Sequence, residues 1–318
     1  MTIKISDEDF IALWKQHESV AAIAKITGIA YRAVLKRRAS LEKKYDMILK
    51  AVDNRGRPDI YIPDEQTQCN ITLENGVIMV GSDCHYNPKY ITTAHRAFVQ
   101  CVKYLKPKVI VLNGDLFDFA TISAHHRIGW QNHPTVKEEL EETQARLADI
   151  EAVRPAGCNL LICIGNHDLR FSGKLSNLMP QYQGIKGFDI ADHTPNWKWY
   201  WSIAVNQNTM IKHRWHNGVH AVYNNILKSG WSFVSGHLHS LKVTPWTDYT
   251  GTRYGVDTGT LACVKDSQFI YAENAPLNWR AGHAVLTYNN GKLMPPELAE
   301  VVDEDKGLYY FRGQVMKV

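Results

Sequence analysis

A chain of 318 residues is long enough to bury one large core with a smaller one beside it. Its 45% hydrophobic and 21% charged residues suit a folded globular protein and exclude a low-complexity or fibrous one. No apolar run reaches the ~18 residues of a membrane span, the start at Met1–Asp9 is not a signal peptide, and the six cysteines show no CxxC pairing. We therefore expect a cytoplasmic protein with free thiols, no membrane association and no disulfide partner. The net charge of +4 is local: residues 1–50 hold ten Lys/Arg against six Asp/Glu, and the rest hold 26 of each.

Residues 1–47 read as a small all-α domain. Ser6 is an N-cap, with Asp7, Glu8 and Asp9 favoured by the dipole of the first turn and Phe10, Leu13 and Trp14 at helical spacing. Ser19 caps a second helix that stops near Thr27-Gly28. A third, from about Tyr31 to Lys44, turns Val34, Leu35 and Leu41 inward and Arg32, Lys36, Arg37 and Arg38 outward. The segment Val20–Val34 resembles a helix-turn-helix, and a basic last helix can approach phosphates, so DNA is the expected partner. The bland alternative is a helical module with a solvated basic face that docks elsewhere.

Residues 48–76 read as linker and short strands, with turns at Arg55–Pro58 and Ile62–Glu65 and strands at 59–62 and 69–73. From residue 77 to 294 the pattern becomes α/β. Val77–Gly81 leads to Ser82-Asp83-Cys84-His85, a helix covers Thr92–Leu105, and Val109–Leu112 leads to Asn113-Gly114-Asp115-Leu116-Phe117-Asp118. An amphipathic helix from about Thr135 to Val153 precedes the apolar run Leu160–Ile164, which ends at Gly165-Asn166-His167-Asp168. Trp197–Val205 alternates as one strand, with Trp197, Trp199, Trp201 and Ile203 on one face. Thr209–Lys212 leads to His213, a helix ends near Lys228, and Trp231–Ser235 leads to Gly236-His237-Leu238-His239. More strands are expected at 241–246, 253–257 and 282–288, with an acidic peripheral extension over 295–318.

Polar residues at the ends of apolar strands sit where open α/β sheets bind ligands. Collected, they are Asp83, His85, Asp115, Asn166, a histidine near 213, His237 and His239. Carboxylate, imidazole and amide donors without thiolate suit Mn, Fe, Zn or Mg rather than a structural zinc. Seven donors are too many for one ion and fit two, about 3.5–4 Å apart, which would clamp a phosphoryl group and supply hydroxide near neutral pH. The histidine near 213 stays open among His213, which follows its strand directly, His216 and His220.

The ordered set D-x-H, G-D-x-x-D, G-N-H-D, H, G-H-x-H resembles the calcineurin-like metallophosphoesterase superfamily over about Val77–His239. The resemblance implies a four-layer αββα sandwich holding two divalent metals, with manganese favoured. It gives one metal to Asp83, His85 and His239 and the other to Asn166, the middle histidine and His237, with Asp115 bridging. His167 would act on the transition state or leaving oxygen, Asp168 would orient His167, and Asp118 would lie behind the ligands. Phe119-Ala120 after Asp118, and Asp168 where protein phosphatases place Glu, look closer to Mre11/SbcD-type nucleases. Asn87 departs from the glycine that those enzymes usually carry. The implied activity is metal-dependent hydrolysis of phosphodiesters, in DNA first of all. The alternatives are a phosphomonoesterase or small-nucleotide hydrolase, and a DNA-binding protein on a vestigial scaffold. His125, His126, Arg170 and His216 are candidates to meet substrate, and the combination of modules looks like phage proteins.

Overall fold

The computed structural model describes residues 5–49, 67–126, 132–266, 268–269 and 277–318, so the turns expected at 55–58 and 62–65 and the strand at 59–62 lie outside the described residues. The chain divides into two compact units, Met1–Tyr61 and Ile62–Val318.

The first unit holds α1 (Asp7–His17), α2 (Val20–Thr27) and α3 (Tyr31–Tyr45). Ser6 accepts the Asp9 N–H at 3.0 Å and Ser19 the Ala22 N–H at 3.3 Å, so both caps act as their sequences promise. Gly28 ends α2 at φ +69°, a left-handed conformation that a side chain would strain. Phe10, Trp14, Val20, Ile23, Val34, Leu41 and Leu49 form the core. Leu35, expected inward, is 41% exposed. Successive helical residues point ~100° apart, and with Val34 and Leu41 two turns apart on the core face, Leu35 falls outside it.

The second unit runs β1 (Gln68–Ile71), β2 (Gly76–Gly81), α4 (Thr93–Leu105), β3 (Val109–Asn113), α5 (Val136–Val153), β4 (Asn159–Cys163) and α6 (Leu169–Leu178). It continues through β5 (Lys198–Tyr200), β6 (Ser202–Val205), β7 (Thr209–Ile211), α7 (Ala221–Ser229), β8 (Ser232–Ser235), β9 (Lys242–Asp248) and β10 (Gly251–Asp257). Last come β11 (Gly282–Asn289), β12 (Lys292–Leu293), β13 (Glu297–Asp303), β14 (Leu308–Phe311) and β15 (Gln314–Lys317).

These strands build two mixed sheets. One is ordered β1-β6-β7-β8-β10-β9, the other β15-β14-β13-β11-β2-β3-β4-β5 with β12 on β11. Strands β2 to β5 pair in parallel. Their side chains alternate between two cores. Ile78, Val80, Val109, Val111, Leu161 and Cys163 meet Ile203, Ile211, Val234 and Val256 between the sheets. Met79, Ile110, Leu112, Leu160 and Ile162 face Phe98 and Val102 of α4 and Leu147 and Ile150 of α5. Burial on both faces is why these strands read as unbroken apolar runs. Helix α7 packs on the other sheet so closely that a Cβ at Gly255 would lie 2.5 Å from Val222 Cγ1 and 2.7 Å from Ile226 Cδ1.

Two expectations are corrected. The stretch 197–205 is not one strand: β5 belongs to the larger sheet, β6 to the smaller, and the chain crosses between them at Trp201. Trp197 and Trp199 are buried in the helical core, where their indoles donate to Glu151 at 2.8 Å and Thr194 at 2.7 Å. The residues after 295 are no peripheral extension. Strand β13 pairs with β11, β14 with β13 and β15 with β14, and Glu297 and Glu300 are paired to Arg312 and Arg280. No described helix is long and apolar enough to cross a membrane, and all six cysteines are free thiols.

Gly255→Val should cost about 1–3 kcal/mol of stability by overpacking α7 against β10, read as a fall in melting temperature. An unchanged melting temperature would contradict this contact.

Candidate metal centre

The carboxyl ends of β2, β3 and β4 in one sheet, and of β7 and β8 in the other, carry the candidate donors. Five of these residues, Asp83, His85, Asp115, His237 and His239, hold left-handed φ values between 39° and 70°. Such conformations cost side-chain-bearing residues energy and gather where function over-determines the backbone. Close approach also explains a motif glycine: a Cβ at Gly236 would lie 2.6 Å from Asp83 Oδ2.

Three donor clusters result among the described residues, each with ligand atoms within 4.8 Å of one another: the triads Asp83/His85/His239 and Asp115/His213/His237, which hold the expected ligands, and His85/Asp118/His167, which shares His85 with the first triad. His239 Nε2 lies 3.0 Å from Asp83 Oδ1, and Asp83 Oδ2 accepts the His237 N–H at 2.8 Å, so this carboxylate ties one triad to the other. His213 Nδ1 donates to the Asn113 carbonyl at 2.7 Å, which leaves its Nε2 facing Asp115 Oδ2 at 3.2 Å. His213, rather than His216 or the exposed His220, is therefore the histidine brought to Asp115.

These residues fit a divalent ion. His85 Nδ1, Asn166 Oδ1, His213 Nε2 and His239 Nδ1 are buried polar atoms without a hydrogen-bond partner, and such atoms are costly unless something binds them. A neutral His213 would point a lone pair at a carboxylate, an arrangement that a proton on Nε2 or a metal cation between them relieves. Consistently, Asp115 overrides burial to raise the affinity of His213 for a proton, while His213 and its neighbours hold Asp115 low against burial. Burial, helped by His167, pushes His85 down to about 3, and burial with His213 lowers His237, so both are neutral imidazoles as ligands must be. Burial and nearby carboxylates raise the Cys84 thiol, and it belongs to neither triad.

His167 stands beside the triads. Its Nδ1 faces only acceptors, the Asp118 Oδ1 at 2.9 Å and carbonyl at 3.2 Å, so it carries the proton, and Nε2 turns towards an Arg170 guanidinium nitrogen at 3.3 Å. Burial alone would lower the pKa of His167, but the bond to Asp118 more than offsets it and the net shift is upward. The expected partner was Asp168, and that expectation is corrected. The Asp168 carboxylate is consumed by backbone N–H groups, those of Asp115, Leu116 and Gly165 at 2.9 Å and Phe117 at 3.4 Å. Asp168 holds the loop, and Asp118 orients the histidine.

The remaining candidates separate. Arg170 lies in the site, donating to the Asp118 carbonyl at 2.6 Å. His125 and His126 are exposed on the loop after Ala120–Ile122 and bond to no site residue. His216 sits apart, its N–H given to Asn225. In the first unit Arg32 and Lys36 are exposed. Arg37 instead binds the Ile5 carbonyl at 2.8 Å and Asp7, and lies over Phe10. Arg38 pairs with Glu42 and lies over Trp14. Sequence reasoning missed Thr260, whose hydroxyl donates to the Asp83 carbonyl at 2.6 Å, and Glu139, which accepts the N–H groups of Asp118 and Phe119. Glu139 carried a signal: it shares the buried stripe of α5 with Thr143, Leu147 and Ile150, where a carboxylate needs a reason.

Two mixed sheets with histidine and aspartate triads at their carboxyl edges define a metallophosphoesterase fold. The chain belongs to the calcineurin-like phosphoesterase family, whose model matches residues 76–313. Among individual relatives, it is similar to the Gene 54 protein of Mycobacterium phage L5, 25% identical over 248 residues that make up 70% of this chain and 92% of that protein. Among solved structures, it is similar to Vps29 of Entamoeba histolytica complexed with zinc, at 13% identity and TM-score 0.38, covering 76% of this chain and 96% of that one. Vps29 of Chaetomium thermophilum gives 9% identity and TM-score 0.41 over the same shares of each chain.

The different work of the two aspartates can be separated. Asp168→Asn turns an acceptor oxygen into a donor facing amides and should lower stability by about 2–3 kcal/mol, with loss of bound metal. Asp118→Ala should keep the fold and the metal and slow turnover. Melting curves and elemental analysis check both, and a stable, metal-replete Asp168→Asn protein would refute the assignment.

Proposed function

We propose that this chain is a two-metal phosphodiesterase acting on DNA. The observation that carries it is the pair of triads, with Asn166, His167 and Arg170 beside them and buried donor atoms without partners among them. Asp83, His85 and His239 would hold one ion and Asn166, His213 and His237 the other, with Asp115 shared and manganese the first candidate. Bound there, two divalent ions act as Lewis acids on a phosphoryl oxygen and lower the pKa of water.

The chain's own residues supply the rest. Arg170 offers a planar guanidinium to a phosphate oxygen. Asp118 holds His167 and raises its affinity for a proton; with a proton taken up on Nε2 in place of the Arg170 contact at 3.3 Å, His167 can give that proton to the leaving oxygen of the ester. Alkoxide leaving groups such as the sugar oxygens of DNA need that proton most.

The DNA half of the reading rests on the first unit. Its last helix exposes Arg32 and Lys36 with Tyr31 and Leu35, a basic and partly apolar face suited to phosphates and base edges. Arg37 and Arg38 are already engaged within the unit. A module of this kind raises the local concentration of polymer without altering the chemistry. With a phage relative, the reading puts its work in the host cytoplasm.

The test uses the manganese-loaded full chain on a small diester, a monoester and linear DNA. Turnover of the diester and DNA over the monoester is expected, and monoester turnover alone would overturn the reading. Exchanging Arg32 and Lys36 together for alanine should leave small-diester turnover intact. It should weaken DNA binding and reduce the salt slope by about two. An unchanged DNA affinity would remove the first unit from DNA binding.

A further inference from the structure

Glu139 is 1% exposed, and a carboxylate so buried must be held by strong partners. One oxygen, Oε2, accepts two successive backbone N–H groups, Asp118 at 2.9 Å and Phe119 at 2.7 Å. The other, Oε1, is buried with no partner. Both amides converge on that one oxygen, and the chain turns directly after them, with Phe119 at φ +49°. A bulky residue holds that conformation only under restraint. The restraint has two parts: Glu139 beneath the backbone, and a ring stack in which Phe119 lies 4.5 Å from Phe117 and 5.8 Å from Phe171.

The turn fixed in this way is the one that aims Asp118. With its N–H anchored on Glu139, Asp118 presents both its carbonyl and its carboxylate to His167 Nδ1, and the same carbonyl to Arg170. Glu139 touches neither a donor of the two triads nor His167. We propose that Glu139 is a positioning residue for the reaction, acting on His167 through Asp118. This rests on the reading that His167 protonates the leaving oxygen. Without Glu139 two buried amides lose their acceptor, the turn at Phe119 relaxes, and the His167 ring loses its aim while both triads keep theirs.

A double-mutant cycle tests it on the manganese-loaded full chain, with Glu139→Leu, His167→Ala and the two combined. Glu139→Leu keeps the bulk of the side chain and removes the acceptor, and circular dichroism and elemental analysis confirm folded, metal-replete protein. The expected result is a fall of about tenfold in kcat on a dinucleotide, with KM little changed. The loss should shrink on a nitrophenyl diester, whose leaving group needs no proton. Glu139→Gln, whose amide oxygen can still accept both N–H groups, should keep most of the rate. In the His167→Ala background, Glu139→Leu should cost nothing further. A Glu139→Leu protein with wild-type kcat beside a crippled His167→Ala overturns the inference, as do additive losses or equal losses on both leaving groups. A His167→Ala protein as fast as wild type overturns the functional reading itself. If leucine disturbs folding, Glu139→Met replaces it in the same cycle, with the same non-additivity expected and the same additivity refuting.

Discussion

Five consecutive backbone N–H groups, from Asp115 to Phe119, point at two buried carboxylates. Asp168 takes the first three and Glu139 the last two. The centre depends on this arrangement, because the same five residues supply a triad carboxylate at one end and the orienter of His167 at the other. A loop after a strand would ordinarily satisfy its amides with water. Here they are buried, so their acceptors must come from the protein, and burial raises both carboxyls, Asp168 to about 6 and Glu139 to about 7. Carboxyl groups placed beneath the loop rather than in its mouth leave the side chains of Asp115 and Asp118 to face His213 and His167.

The triads show the opposite condition, donor atoms without partners. Nitrogen and oxygen atoms of His85, Asn166, His213 and His239 are buried and unmatched, while backbone behind them is bonded, Asp83 N–H to the Gly114 carbonyl at 2.9 Å and His85 N–H to the Asp115 carbonyl at 3.0 Å. A bonded frame around unsatisfied donors is the arrangement of a preorganised binding site. The His213 tautomer shows how the frame selects function: its Nδ1 is committed to the Asn113 carbonyl, so Nε2 is the atom left to bind.

Much of the centre was legible because its motifs are local. An apolar run followed by Asp-Cys-His or Gly-Asn-His-Asp announces both the strand and the donors at its end, and the structure brings these ends together. What was not legible depends on distant partners. Asp168 was assigned to its neighbour His167, yet its partners are amides some fifty residues earlier, and backbone groups leave no mark in a sequence. Glu139 looked like one more acid in an acidic helix. Arg37 looked free because nothing in its own helix reveals Asp7 and Phe10 on another, whereas Arg38 has Glu42 one turn along its own helix and only its stacking on Trp14 was hidden. The end of the chain looked peripheral because Glu297 and Glu300 read as a solvated acidic tail. In the fold Arg312 and Arg280 pair with them while Ala299 lies in the core. The break at Trp201 was hidden by an alternation that continues across both sheets.

The central claim is that two donor sets, built on two sheets, each hold an ion. Equilibrium binding of Mn²⁺ to the full chain tests this most directly. The account predicts about two ions per chain at saturation, with His239→Ala and His213→Ala each removing one and leaving the other. A wild-type chain that binds no ion, or variants that bind as many as wild type, would contradict it.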